Sequence, residues 1–246
     1  MHTTSSKQWT EEDIKALPRE NGDRMRGLAV TRLDTLVDAA FAFVLTLLVI
    51  SFDELPSNRD EMIAALKLIP AFAASFIVLM MFWSGHRNWS RRFGLENKRT
   101  MFCSLALIFV VLVYVYPLRM IFEGLFSQIT NNFLPTSYYI NSYDDIRLMF
   151  IFYSAGFIAM TMLVVLLYTE ALNQKKTLLL NSVEQRKARI ELQSSLISIS
   201  FGILSILIAV FAKPPYIVLA GYIYFGLIPF LSIPKIIDRR RHGDLG

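Results

Sequence analysis

The chain has 246 residues, 54% of them hydrophobic, with three histidines, one cysteine and a formal net charge of +5; its mean hydropathy is +0.44. The lone Cys103 allows no intrachain disulfide, and so small a charge excess makes nucleic-acid binding a poor reading of the basic pI. The chain holds neither the H-E-x-x-H pattern of zinc peptidases nor the G-x-S-x-G of serine hydrolases, so an enzyme is not expected.

Residues 1–27 are polar and charged, without the apolar stretch of a signal peptide. They are expected to form a cytoplasmic tail, partly disordered, with a short helix at Glu11–Leu17. The first hydrophobic segment, about 30–52, places Arg32, Asp34 and Asp38 at its mouth and then runs uncharged from Ala39 to Phe52. An ionised group at bilayer depth costs roughly 2.5–3.5 kcal/mol even on the lenient insertion scale, so such charges usually have a partner or a task. Five longer uncharged runs follow: Leu68–Gly85, Thr100–Leu118, Leu148–Thr169, Leu192–Ala212 and Pro214–Pro234. About 20 apolar residues cross the hydrocarbon core as a helix. The pattern therefore predicts an all-α membrane protein of six spans, about 30–52, 62–86, 100–122, 148–170, 191–212 and 214–234, with a basic tail at 235–246.

Lys and Arg sort between alternate connections. Twenty of the 25 lie in the N-terminal segment, after the second span, after the fourth, and at the C-terminus. The other connections keep Arg59, Lys67, Arg119, Arg147 and Lys213. Basic excess marks the cytoplasmic face, so both termini are expected in the cytoplasm of a multi-pass protein of the cell (inner) membrane. The external connection near Glu123–Asp145 is rich in Asn, Tyr and Phe and reads as an interfacial loop, and Pro70, Pro117 and Pro229 are candidate kinks.

On a helix of about 100° per residue, Phe43, Leu47 and Ile50 fall on one stripe that Leu36 extends. Asp38 lies about 140° from Phe43, and Arg32 about 120° from Asp38, too far apart to pair directly. Each charge is expected to meet another helix, which the small Ala39, Ala40 and Ala42 would let approach closely. The stripe is open to two readings, ordinary packing or a functional surface. His86 and Trp83 close the second span at the same depth as Arg32 and Asp38. His86 is either a boundary residue facing the cytoplasm or part of an Asp–His–Arg cluster across two helices, and Trp83 by default is an interfacial anchor.

Taken together, Arg32-x-x-x-Leu36-Val37-Asp38 and Trp83-x-x-His86 resemble the first- and second-helix patterns of the transmembrane-protein-175 family of potassium channels. That family's signature is R-x-x-x-F-S-D, and here Leu36 and Val37 replace Phe and Ser. The resemblance implies a one-repeat homotetramer whose first helices line the pore. The narrow ring would be Phe43, with Leu47 and Ile50 as the next layers and Thr46 as a hydroxyl beside the constriction. It also implies that Arg32, Asp38, Trp83 and His86 hold the inner ends of the helices together. Potassium would be the permeant species, with no cofactor, and the partners would be further copies of the chain and the bilayer. A ring of large apolar groups can gate by dewetting. The alternative is a proton- or ion-coupled secondary transporter using Asp38 and His86, although no inverted repeat or broken-helix pair marks the sequence.

Overall fold

The computed structural model describes residues 9–20, 22–50, 57–138 and 140–242, with the side chains of Ile50, Arg241 and His242 left aside. It is helical apart from one two-residue hairpin. The helices are α1 (Glu11–Ala16), α2 (Arg32–Ile50), α3 (Arg59–Lys67), α4 (Ile69–Phe93), α5 (Lys98–Ile129), α6 (Tyr143–Asn173), α7 (Ser182–Phe211), α8 (Leu219–Tyr222) and α9 (Leu227–His242). Strands β1 (Arg19–Glu20) and β2 (Asp23–Arg24) pair antiparallel between α1 and α2.

Local sequence explains most helix starts. Asn97, Ser142 and Asn181 each accept a hydrogen bond from a backbone N–H of the first turn, and the residue three positions on returns the bond. Thr31 and Asp34 do the same for α2. Pro70 sits in the first turn of α4, where its missing N–H costs nothing, and there the expected second span divides into α3 and α4. The expected third span runs on beyond residue 122 to Ile129, because Arg119 and Glu123 satisfy each other one turn apart at 2.6 Å.

Five helical stretches among the described residues are long and apolar enough to cross a membrane: Arg59–Phe93, Lys98–Ile129, Tyr143–Asn173, Ser182–Phe211 and Tyr216–Arg240. α2 is shorter and begins with three charges. It lies against α4 and α5, α6 packs between α5 and α7, and the last segment lies along α7. The main core joins Val37, Phe41, Val44 and Leu48 of α2 to Leu79 of α4, Leu107, Val111 and Tyr114 of α5, and Tyr153 and Met160 of α6. A second cluster, built on Trp89, Phe93, Tyr168 and Leu178, closes the basic end.

The described part of the N-terminal segment is folded against that end, not a loose tail. Gly27 donates its N–H to the Arg91 carbonyl at 3.0 Å. The approach needs two glycines: a Cβ on Gly27 would lie 2.3 Å from the Ser90 carbonyl oxygen, and Gly94 ends α4 at φ +55° directly beneath it. The chain thus enters α2 from a fixed point on α4.

Candidate pore helix and its anchoring network

α2 divides cleanly by phase. Val37, Phe41, Val44 and Leu48 are all at most 2% exposed and stand at i, i+4, i+7 and i+11, the period of a packed helix face. The opposite side is bare in the single chain: Arg32, Leu36, Ala39, Phe43 and Thr46 are exposed, with Phe43 at 57%. Their spacing alternates four and three residues, a seam spacing, within a wider exposed arc that also holds Thr35, Asp38, Ala42 and Val49. The Thr46 hydroxyl donates to the Phe43 carbonyl at 2.6 Å, which ties its proton to the helix and leaves its lone pairs facing outward.

Leu47 departs from the expected stripe. It is half-buried against the core and lines a cavity of about 140 Å³ with Leu48, Val115 and Arg119. The cause is phase: Leu47 lies about 100° from the fully buried Leu48, so it turns toward α5 while Phe43 and Thr46 turn away. The side chain of Ile50 lies outside the described residues.

At the basic end, α2 is tied to α4 at two points. Trp83 Nε1 donates to Asp38 Oδ1 at 2.7 Å, and the Ser90 hydroxyl donates to Asp34 Oδ1 at 2.6 Å. Asp34 also caps its own helix through Thr31, so one carboxylate both starts α2 and fixes its register on α4. The Arg87 guanidinium lies over the Trp83 ring at 5.5 Å, which holds the indole in place. The Asp–His–Arg cluster is not assembled within one chain. His86 is buried and its Nε2 lies 2.9 Å from Ser104 Oγ of α5. Arg32 stands on the bare face in phase with Phe43, with no side-chain partner among the described residues.

Sequence reasoning missed the buried clasp beneath this network. Arg26 holds Glu184 of α7 with both Nη atoms, at 3.0 and 3.1 Å, and donates Nε to the Leu178 carbonyl at 2.9 Å. Arg24 grips the same carboxylate at 3.1 Å. Asp23 lies between Arg92 and Lys187, at 3.4 and 3.3 Å. At the far end, Arg119 reaches the Leu48 carbonyl at 3.4 Å, and Glu123 accepts the Ser137 N–H at 2.7 Å. α2 is therefore held at both ends, by its own Asp34 and Asp38 on α4 at one and by Arg119 of α5 at the other.

A bundle of helices long enough to span a bilayer, with one helix clamped at both ends and bare along one side, defines a helical membrane protein whose first helix carries an unpartnered face. Residues 32–117, from the start of α2 into α5, match the family model described as "Endosomal/lysosomal potassium channel TMEM175". A protein of Marivirga tractuosa described as "Potassium channel" is 29% identical over 218 residues, covering 85% of this chain and 87% of that protein. The crystal structure of a variant of the potassium channel MtTMEM175, bound to a nanobody–MBP fusion protein, superposes with a TM-score of 0.77 at 26% identity. It covers 90% of this chain and 99% of that one. The likeness thus includes the first two long helices, where the sequence resemblance lies: the family model runs from α2 into α5, and the relative and the solved structure each span most of the chain.

Proposed function

We propose that the chain is one subunit of a passive potassium channel of the cell (inner) membrane, a homotetramer whose first helices line the pore. The observation that carries this reading is the bare side of α2: five exposed residues at four-three spacing, inside the segment that matches the channel family. Gathered about an axis, that side brings Phe43 inward as the narrow apolar ring, with Thr46 one turn along. The half-buried Leu47 supports the ring from behind instead of forming the next layer. Six spans place both termini in the cytoplasm, with the basic end of the bundle at the inner face. Trp83, Asp38, Asp34 and Ser90 then hold the inner mouth, and the clasp on Glu184 braces it from the cytoplasmic side.

Selectivity and gating on this account come from the width and field of a ring of apolar side chains, not from backbone carbonyls. Purified protein in liposomes passes potassium down its gradient with neither ATP nor a proton gradient. Silence beside a working ionophore control would overturn the reading.

A further inference from the structure

The crevice left between α4, α5, α6, α7 and α9 takes no part in α2 or its anchors. It encloses about 490 Å³ and is walled for most of its length by apolar and aromatic side chains such as Phe82, Phe122, Phe157 and Tyr224. At the basic end the lining changes to Glu191, Ser194, Ser195 and Ser198 of α7, with Lys235 of α9. The four α7 residues stand at i, i+3, i+4 and i+7, a polar stripe on one face where the charged start of α7 gives way to its apolar run.

Their hydrogen bonding is incomplete. Ser195 and Ser198 donate to carbonyls of their own helix, at 2.9 and 3.0 Å. Ser194, only 9% exposed, has a buried hydroxyl with no partner among the described residues. Among the described residues, the side chains of Glu191 and Lys235 form no ion pair with each other or with any other group. A buried hydroxyl is nearly always satisfied, so an open one calls for a ligand or water. The half-buried Glu191 carboxylate at the edge of an apolar run calls for a cation.

We propose that this crevice holds one phospholipid with a phosphoethanolamine head, its ammonium on Glu191, its phosphate on Lys235 and Ser194, and an acyl chain along the aromatic wall. Charge decides the head group. A purely anionic lipid could set its phosphate on Lys235 but would leave Glu191 without a cation, and a quaternary ammonium has no N–H to donate to the carboxylate. Depth agrees, since Glu191 immediately precedes the uncharged run 192–212 and Lys235 immediately follows 214–234, so both stand where head groups lie. The inference rests on α7 and α9 spanning the bilayer and is independent of whether α2 lines a pore.

Native mass spectrometry of the full chain in mild detergent tests it, with phosphatidylethanolamine, phosphatidylcholine and phosphatidylglycerol of matched chains supplied in equal amounts. Phosphatidylethanolamine is retained preferentially, at one per subunit. Glu191→Gln and Lys235→Gln each lower its retention by about tenfold, and Glu191→Gln shifts preference toward phosphatidylglycerol. Equal retention of the three lipids, or retention unchanged in both variants, overturns the proposal. A thiol probe at Ser195→Cys, on a Cys103→Ala background, gives a second reading. The thiol reacts with maleimide in delipidated protein and is shielded when phosphatidylethanolamine is added. Shielding without lipid, as when another copy covers the crevice, overturns the proposal, and so does reactivity that lipid leaves unchanged.

Discussion

Phe43 and Leu47 lie one helical turn apart, yet Phe43 is bare and Leu47 packs inward. The stripe 36, 43, 47 and 50 and the exposed seam 32, 36, 39, 43 and 46 share Leu36 and Phe43, but beyond Phe43 one steps four residues to Leu47 and the other three to Thr46. Helical phase thus singles out Phe43, which is exposed, but does not reveal that Leu47 turns inward. Replacing Phe43 with Ala widens the narrowest point: potassium flux rises or sodium exclusion weakens, measured as relative flux in liposomes. The contact of Asp38 with Trp83 was legible only through the family resemblance, since by itself Trp83 reads as an interfacial anchor, and the Asp34–Ser90 bond, 56 residues apart in sequence, left no local signal. Because Asp38 is itself exposed in the single chain, Trp83→Phe costs only about 1 kcal/mol of stability, read as a small fall in Tm with the fold retained.

At the scale of elements, α2 owes its position to its neighbours more than to its own packing face. The N-terminal segment was expected as a partly disordered tail, and apart from the short helix at Glu11–Ala16 nothing in its composition announces that it docks. The reason is physical: Arg26 and Glu184 stand 158 residues apart, and only the folded bundle brings them together. Glu184→Gln leaves the buried Arg26 guanidinium without its counter-charge. This lowers stability by about 3–5 kcal/mol, seen in thermal unfolding of the detergent-solubilised protein. Gly27→Ala drives a methyl into the Ser90 carbonyl and releases the segment from α4, detectable as faster proteolysis near residue 27. Gly85→Ala, whose new Cβ would have nothing within 4 Å, leaves proteolysis unchanged and gains up to about 1 kcal/mol from helix propensity.

For the whole molecule, the long apolar runs made an all-helical membrane protein legible, because backbone groups in lipid must be satisfied within the helix itself. Helix ends were less so. α5 outruns its apolar stretch on the strength of one ion pair, and a proline divides α3 from α4. α2 finishes with a bare side and with Arg32 unpartnered among the described residues, features that further copies around an axis would complete. On the proposed function this side of α2 is the wall of a conducting pore. Its most direct test is potassium flux through liposomes carrying Phe43→Cys or Phe109→Cys, each on a Cys103→Ala background, before and after a bulky thiol reagent. Both positions are exposed, at 57% and 69%, but Phe109 lies on α5. The reagent abolishes flux at position 43 and spares it at position 109; flux that survives modification at 43, or falls equally at both, rules out α2 as the pore wall.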